Sequence, residues 1–276
     1  MEKKPSSTRQ HPGRRVAGIG LFLFLLTEAI WAAAPIHISN ADALRIGKRV
    51  WQNESNGSVA GLTAWNAGED FASLGIGHFI WYPQGMRGPF EESFPKFLAY
   101  AQERNVTLPV WLNQATACPW SSRAEFSKAK DSAQMRELRQ LLAHTVDLQA
   151  QFLVARLQES LAKMLDEAAP GERVNIERQF GRVARTPHGC YALVDYVNFK
   201  GEGVLHTERY RGEGWGLLQV LEKMHDTQTG AGAAREFSNS AAAILRRRVQ
   251  NSPPERHEAR WLPGWLNRVH SYAENS

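Results

Sequence analysis

The chain has 276 residues, 43% hydrophobic and 22% charged, with a formal net charge of +5. Five basic and two acidic residues fall within positions 1–34, which leaves 28 basic against 26 acidic side chains in the other 242 residues. A body this close to neutral excludes a strongly basic nucleic-acid binder, and its apolar content excludes a disordered polyelectrolyte.

Arg14-Arg15 is followed by VAGIGLFLFLLTEAIWAAA. A basic stretch, an apolar run of secretory length and small residues at its end form the pattern of a signal peptide. Residues 1–34 are therefore expected to be removed, with cleavage near Ala32 to Ala34, leaving the mature chain periplasmic or secreted. Glu28 disfavours a retained anchor, and no later segment is apolar for long enough to span a bilayer, so no stable membrane insertion is expected after removal. The two cysteines, Cys118 and Cys190, are compatible with one disulfide or with two separate buried thiols. No CxxC or HExxH spacing points to zinc, and no metal or organic cofactor is expected.

In the mature part, Ser39-Asn40 suits a helix N-cap, and Leu44, Val50 and Trp51 among basic residues predict a short amphipathic helix over 41–53. Residues 58–82, with VAGLTAW, the turn-like NAGED and FASLGIGHFIWY, predict a β-hairpin or three-stranded ribbon, the only clear β signal in the chain. Helical patterns follow over 91–104 and 131–168, the second with a possible break near its middle. Residues 110–126 read as a loop or short turns, and further helices are predicted over 191–199 and 215–225. After the TQTGAGA linker, two helices flank Ser252-Pro253-Pro254. The expected fold is mainly α (α+β): one mostly helical domain over 35–276 with a single small ribbon and a helical C-terminal extension.

The chemistry-bearing constellation is Glu54, at the end of a helix, followed by SLGIGHFIW. A glycosidase needs a carboxylic acid beside sugar-binding groups, and glycines let a facing ribbon approach a sugar ring. Ser73, Gly75 and Gly77 meet the second need. This segment resembles the lysozyme-like superfamily, especially phage-type lysozymes, in which a catalytic glutamate ends the first helix and the return strand reads Thr-hydrophobic-Gly-hydrophobic-Gly-His. The resemblance, which covers residues 44–81, implies that Glu54 is the catalytic acid, that Ser73 stands for the threonine and that His78 is structural. The family's aspartate has no direct match: its place falls near Asn66, with Glu69 and Asp70 in the turn. Glu54-Ser55 is also similar to goose-type lysozymes and lytic transglycosylases. Their Gly-Leu-Met-Gln motif is similar to Gly216-Leu217-Leu218-Gln219, which lies far later in this chain than in those families.

A second polar stretch, YVNFKGEGVLHTERYRGEGWGLLQ, offers Asn198, Glu202, Tyr210 and Glu213 for a substrate wall, with Glu202 and Glu213 as further candidates for a second carboxylate. Trp65 and Trp81 flank the ribbon and are candidate sugar platforms. The expected activity is cleavage of peptidoglycan glycan strands, by hydrolysis or transglycosylation. The alternative is a noncatalytic peptidoglycan-binding or envelope-structural protein of the same fold.

Overall fold

The computed structural model describes Met1 and residues 36–88 and 90–273; apart from Met1, the expected signal peptide lies outside them. The described chain is mainly helical, with a small three-stranded antiparallel sheet. Helix α1 (Asn40–Ser55) starts where the Ser39 hydroxyl accepts from the Asp42 amide, and ends at Asn56 in the left-handed region. Its buried face is Ala43, Ile46, Gly47 and Val50, whereas Leu44 is exposed and Trp51 half-buried. Small residues define this face because α1 lies close against a later helix: a Cβ on Gly47 would stand 2.7 Å from the Val146 carbonyl oxygen.

Strands β1 (Thr63–Ala64), β2 (Ala72–Leu74) and β3 (Phe79–Trp81) form the ribbon in that order, with Ser73 opposite Ala64 on one side and Ile80 on the other. Helix α2 (Phe94–Gln102) follows, and Ser93 before it accepts from the Ile80 amide. Two short helices, α3 (Val110–Gln114) and α4 (Arg123–Lys128), occupy the stretch expected to hold turns. The long helical pattern is broken at Thr145 into α5 (Ala133–His144) and α6 (Val146–Glu167).

Helix α7 (Arg173–Ala184) has no counterpart in the sequence reading. Its inward positions Ile176, Phe180 and Val183 are spaced for a helix but are outnumbered by charge, and one inward residue, Arg182, is itself ionic, bonded to Glu236 at 2.8 Å. Helix α8 (Pro187–Lys200) is buried along most of its length. A second ribbon, β4 (Arg209–Tyr210) with β5 (Glu213–Gly214), corrects the expectation of a single β element; pairs this short leave no alternation to read. Helices α9 (Leu217–Lys223), α10 (Ala231–Asn251) and α11 (Leu262–His270) complete the chain. One hydrophobic core runs from Ala43 to Tyr272, so the C-terminal helices are part of it.

The turn between β2 and β3 is pinned by a residue that the sequence reading passed over. Gln149 of α6, fully buried, accepts from the Ile76 amide at 2.9 Å and donates to the Leu142 carbonyl at 2.6 Å. Gly75 has φ +71°, and a Cβ there would lie 2.3 Å from the Gln149 Oε1. Its glycine is thus required by backbone conformation and by this clamp. Gly75→Ala is expected to destabilise the protein by about 1–3 kcal/mol, read as a lower urea midpoint at unchanged m-value.

Cys118 and Cys190 are both buried and unpaired, the second of the two arrangements open from sequence. Burial pushes each thiol up to about 12, which makes both poor nucleophiles.

Candidate functional site

Glu54 stands in the last turn of α1, where the chain turns toward the ribbon, and its side chain is 14% exposed. It opens onto a cleft of about 280 Å³. Gly77, His78 and Ile80 bound one side of this cleft; Arg156, Leu157 and Ser160 of α6, with Asn198 and Glu202 at the end of α8, bound the others. The His78 Nδ1 lies 3.7 Å from the Glu54 Oε2, so the imidazole faces the carboxylate. Residue 78 is itself held at φ +47°, the conformation that turns the chain into β3.

The other Glu54 oxygen accepts from Arg268 Nη2 at 2.5 Å. Arg268, on α11, is the hub of a buried network centred on Asp195 of α8. Asp195 is fully buried and accepts from Arg268 Nε at 2.8 Å, from Arg268 Nη2 at 2.8 Å, from the Tyr272 hydroxyl at 2.5 Å and from Asn53 Nδ2 at 3.1 Å. Asn53 also donates to the Tyr191 hydroxyl at 2.7 Å, and the guanidinium sits 4.4 Å from the Phe199 ring centre. Burial works against the charge on Arg268, but the bonds and field of Asp195, with Glu54 behind them, outweigh it and push its pKa up. Burial and the Asp195 charge keep the Tyr272 hydroxyl protonated well above its ordinary range, so it remains a donor to Asp195. The position of Glu54 is therefore fixed by residues more than 140 positions further along the chain.

Glu202, after α8, accepts from the Ser160 hydroxyl at 2.5 Å and lies 3.3 Å from Lys163 Nζ. Glu54 and Glu202 thus reach one cleft from separate elements. Ser73, Glu69 and Asn66 form a different group: Glu69 Oε2 accepts from Asn66 Nδ2 at 3.1 Å and from the Ser73 hydroxyl at 3.5 Å. Ser73 does not line the cleft, but residues directly opposite each other share a face of a ribbon, and its partner Ile80 does line it. Asp70 is exposed on the turn and outside the cleft lining.

Several expectations are corrected by position. Trp65, 7% exposed, packs edge-on against Phe126 and donates to the Glu69 carbonyl, while Trp81, 1% exposed, packs against Phe94. Neither ring has a free face for a sugar, because short strands this close to the helices turn large side chains into the core. Gly75 serves the Gln149 clamp and does not line the cleft, whereas Gly77 does line it. Tyr210 donates to Glu258, and Glu213 pairs with Arg247 at 2.9 Å; both lie outside the cleft lining because the second ribbon turns them toward α10 and the segment after it. Gln219 of the Gly-Leu-Leu-Gln stretch binds its own Gly216 amide and the Gly203 carbonyl, a packing role.

Behind the cleft, Lys200 Nζ lies 3.4 Å from the Trp265 ring centre and 4.0 Å from that of Phe199. Burial, with Arg248 nearby, lowers its pKa to about 7. Between that value and the unfolded lysine range the unfolded chain binds more protons, so this group makes stability rise with pH. Relative to Lys200→Met, the wild type is expected to gain stability from pH 7 to 10, by up to ~1.4 kcal/mol per pH unit, checked by urea unfolding across that range.

Among the described residues, no group of three or more His, Cys, Asp or Glu is placed to hold a metal ion, and no helix is long and apolar enough to cross a membrane. No family model, no curated protein and no solved structure matches the chain.

Proposed function

We propose that this protein is an exported, lysozyme-like enzyme that cleaves the glycan strands of peptidoglycan, with Glu54 as the proton donor to the leaving oxygen. The observation that carries the reading is the carboxyl at the end of α1, held by Arg268 and facing His78 and the ribbon across an open cleft. Asn198 and Arg156 supply amide and guanidinium donors for hydroxyl, acetamido or carboxylate groups of the substrate. Glu202 is the second carboxylate on this reading. It shares the cleft with Glu54, whereas Asp70 does not, and its Ser160 bond orients it. Glu69 and Ser73 hold the ribbon face beside the cleft.

The Glu54–Arg268 contact favours one second reading, a wall-binding protein that does not cut. A guanidinium at 2.5 Å occupies one oxygen of the carboxylate that must exchange a proton with the substrate. The two separate cleanly. An enzyme releases soluble glycan from purified peptidoglycan and stops doing so as Glu54→Gln. A binder pellets with sacculi in both forms and releases nothing.

A further inference from the structure

With Trp65 and Trp81 buried, one other aromatic ring still reaches the Glu54 cleft. Phe90 is the only Phe, Tyr or Trp in its lining, and the residue is 50% exposed. Among the described residues, Trp261 alone shares that combination of aromatic ring and exposure, and it lies outside the cleft lining. A lone exposed phenylalanine is ordinary on a protein surface. What sets Phe90 apart is how firmly it is held and what it faces.

The chain after β3 packs round the buried Tyr82. A Cβ on Gly88 would stand 2.4 Å from the Tyr82 hydroxyl oxygen, so glycine lets the chain close against that ring. The same hydroxyl donates to the Phe90 carbonyl at 3.4 Å, and the Tyr82 amide donates to the Glu92 carboxylate at 2.8 Å. Between them, Glu91 pairs with Lys96 and, at 3.3 Å, with Arg156 of α6, itself part of the cleft wall. The Phe90 ring meets the buried Phe71 ring edge to face, with centres 5.9 Å apart. Backbone and ring are thus anchored, and an aromatic side chain ordered in advance loses little further freedom when a ligand covers it.

The rest of the cleft is of mixed character. Ile80, Leu153, Leu157, Val194 and Val197 give it apolar surface, and Glu54, Glu202 and Asn198 give it polar groups. A wholly apolar guest such as an acyl chain would take water from two carboxylates and an amide and return no hydrogen bonds, which is costly. A pyranose ring meets both demands, since its faces carry C–H bonds and its rim carries hydroxyls. We propose that Phe90 is the stacking platform for one pyranose ring of a bound glycan, with the phenyl ring against a C–H face of the sugar and the polar groups of the cleft on its hydroxyls. The inference rests on the reading of this cleft as a glycan site, and it gives Phe90 the part that neither Trp65 nor Trp81 can take.

Titration calorimetry with a linear tetramer of N-acetylglucosamine tests this, in the full chain carrying Glu54→Gln so that the glycan stays uncut. Saturable binding is expected, about five- to tenfold weaker when Phe90→Ala or Phe90→Leu is added and retained with Phe90→Trp. Leucine decides the nature of the contact, because it is apolar but offers no flat face. If the alanine variant does not fold, the leucine and tryptophan variants carry the comparison. No binding of the tetramer, affinity indifferent to Phe90→Ala, or binding by Phe90→Leu as tight as with phenylalanine overturns the proposal. Binding that depends on Phe90 in a protein whose wild type releases no glycan from peptidoglycan supports the platform and removes only the cleavage.

Discussion

Arg268→Leu is expected to lower the stability of the folded protein by about 3–5 kcal/mol. The cause is the carboxylate it leaves behind. Asp195 has no solvent contact, and two of its four bonds come from Arg268, with the remaining two from Tyr272 and Asn53. Neutral donors cannot replace a guanidinium, so the variant must bury an unpaired charge or take up a proton. Arg268→Lys keeps the charge but loses the two-point geometry and is expected to cost less, about 1–3 kcal/mol. Adding Asp195→Asn to Arg268→Leu removes the stranded charge and is expected to recover part of the loss. Urea midpoints of the three variants check the order. A loss under 1 kcal/mol for Arg268→Leu, or no recovery in the double variant, would show that the network does not hold α8 to α11.

Glu54→Gln is the complementary case, with a large expected effect on activity and a small one on stability. General acid catalysis by a positioned side chain is worth about 10²–10⁴-fold, and the amide cannot donate that proton in turnover. Glutamine keeps an acceptor oxygen for Arg268, whose charge remains balanced by Asp195, so the urea midpoint is expected to stay close to that of the wild type. Glycan release should therefore fall by at least ~100-fold in a protein that still folds. Arg268→Lys should change activity as well, since it moves the group that positions Glu54. The two substitutions separate the chemistry of the carboxyl from the scaffold that aims it.

The elements with strong local signals were legible in the sequence. The Ser39 cap, the three-stranded ribbon and the broken leucine-rich helix all follow from residues close together in the chain, and Glu54, Gly77, His78, Asn198 and Glu202 do reach one cleft. What escaped was of two kinds. Helix α7 was hidden because its inward face mixes Ile176 and Phe180 with buried Gln179 and Arg182, which breaks the apolar period. Arg268, Asp195 and Gln149 escaped because their meaning is purely tertiary: an arginine near the C-terminus, an aspartate in an apolar helix and a glutamine in another carry no local mark of what they will touch. An isolated ionisable residue within the apolar run of α8 was the one available signal, since a buried charge requires a partner somewhere. The tryptophans failed in the opposite direction. Proximity to the ribbon suggested sugar platforms, but the packing of the ribbon against α2 and the α4 region consumed both rings.

On the proposed function, Glu54 cleaves glycan in the cleft between the ribbon and the end of α8. The most direct measurement is mass spectrometry of fragments released from purified peptidoglycan by the wild type and by Glu54→Gln. Muropeptides are expected from the wild type, with reducing ends if water attacks and 1,6-anhydro ends if the substrate's own hydroxyl does, and none from the variant. Absence of glycan fragments from folded wild-type protein across pH and salt, or their undiminished release by Glu54→Gln, would contradict it.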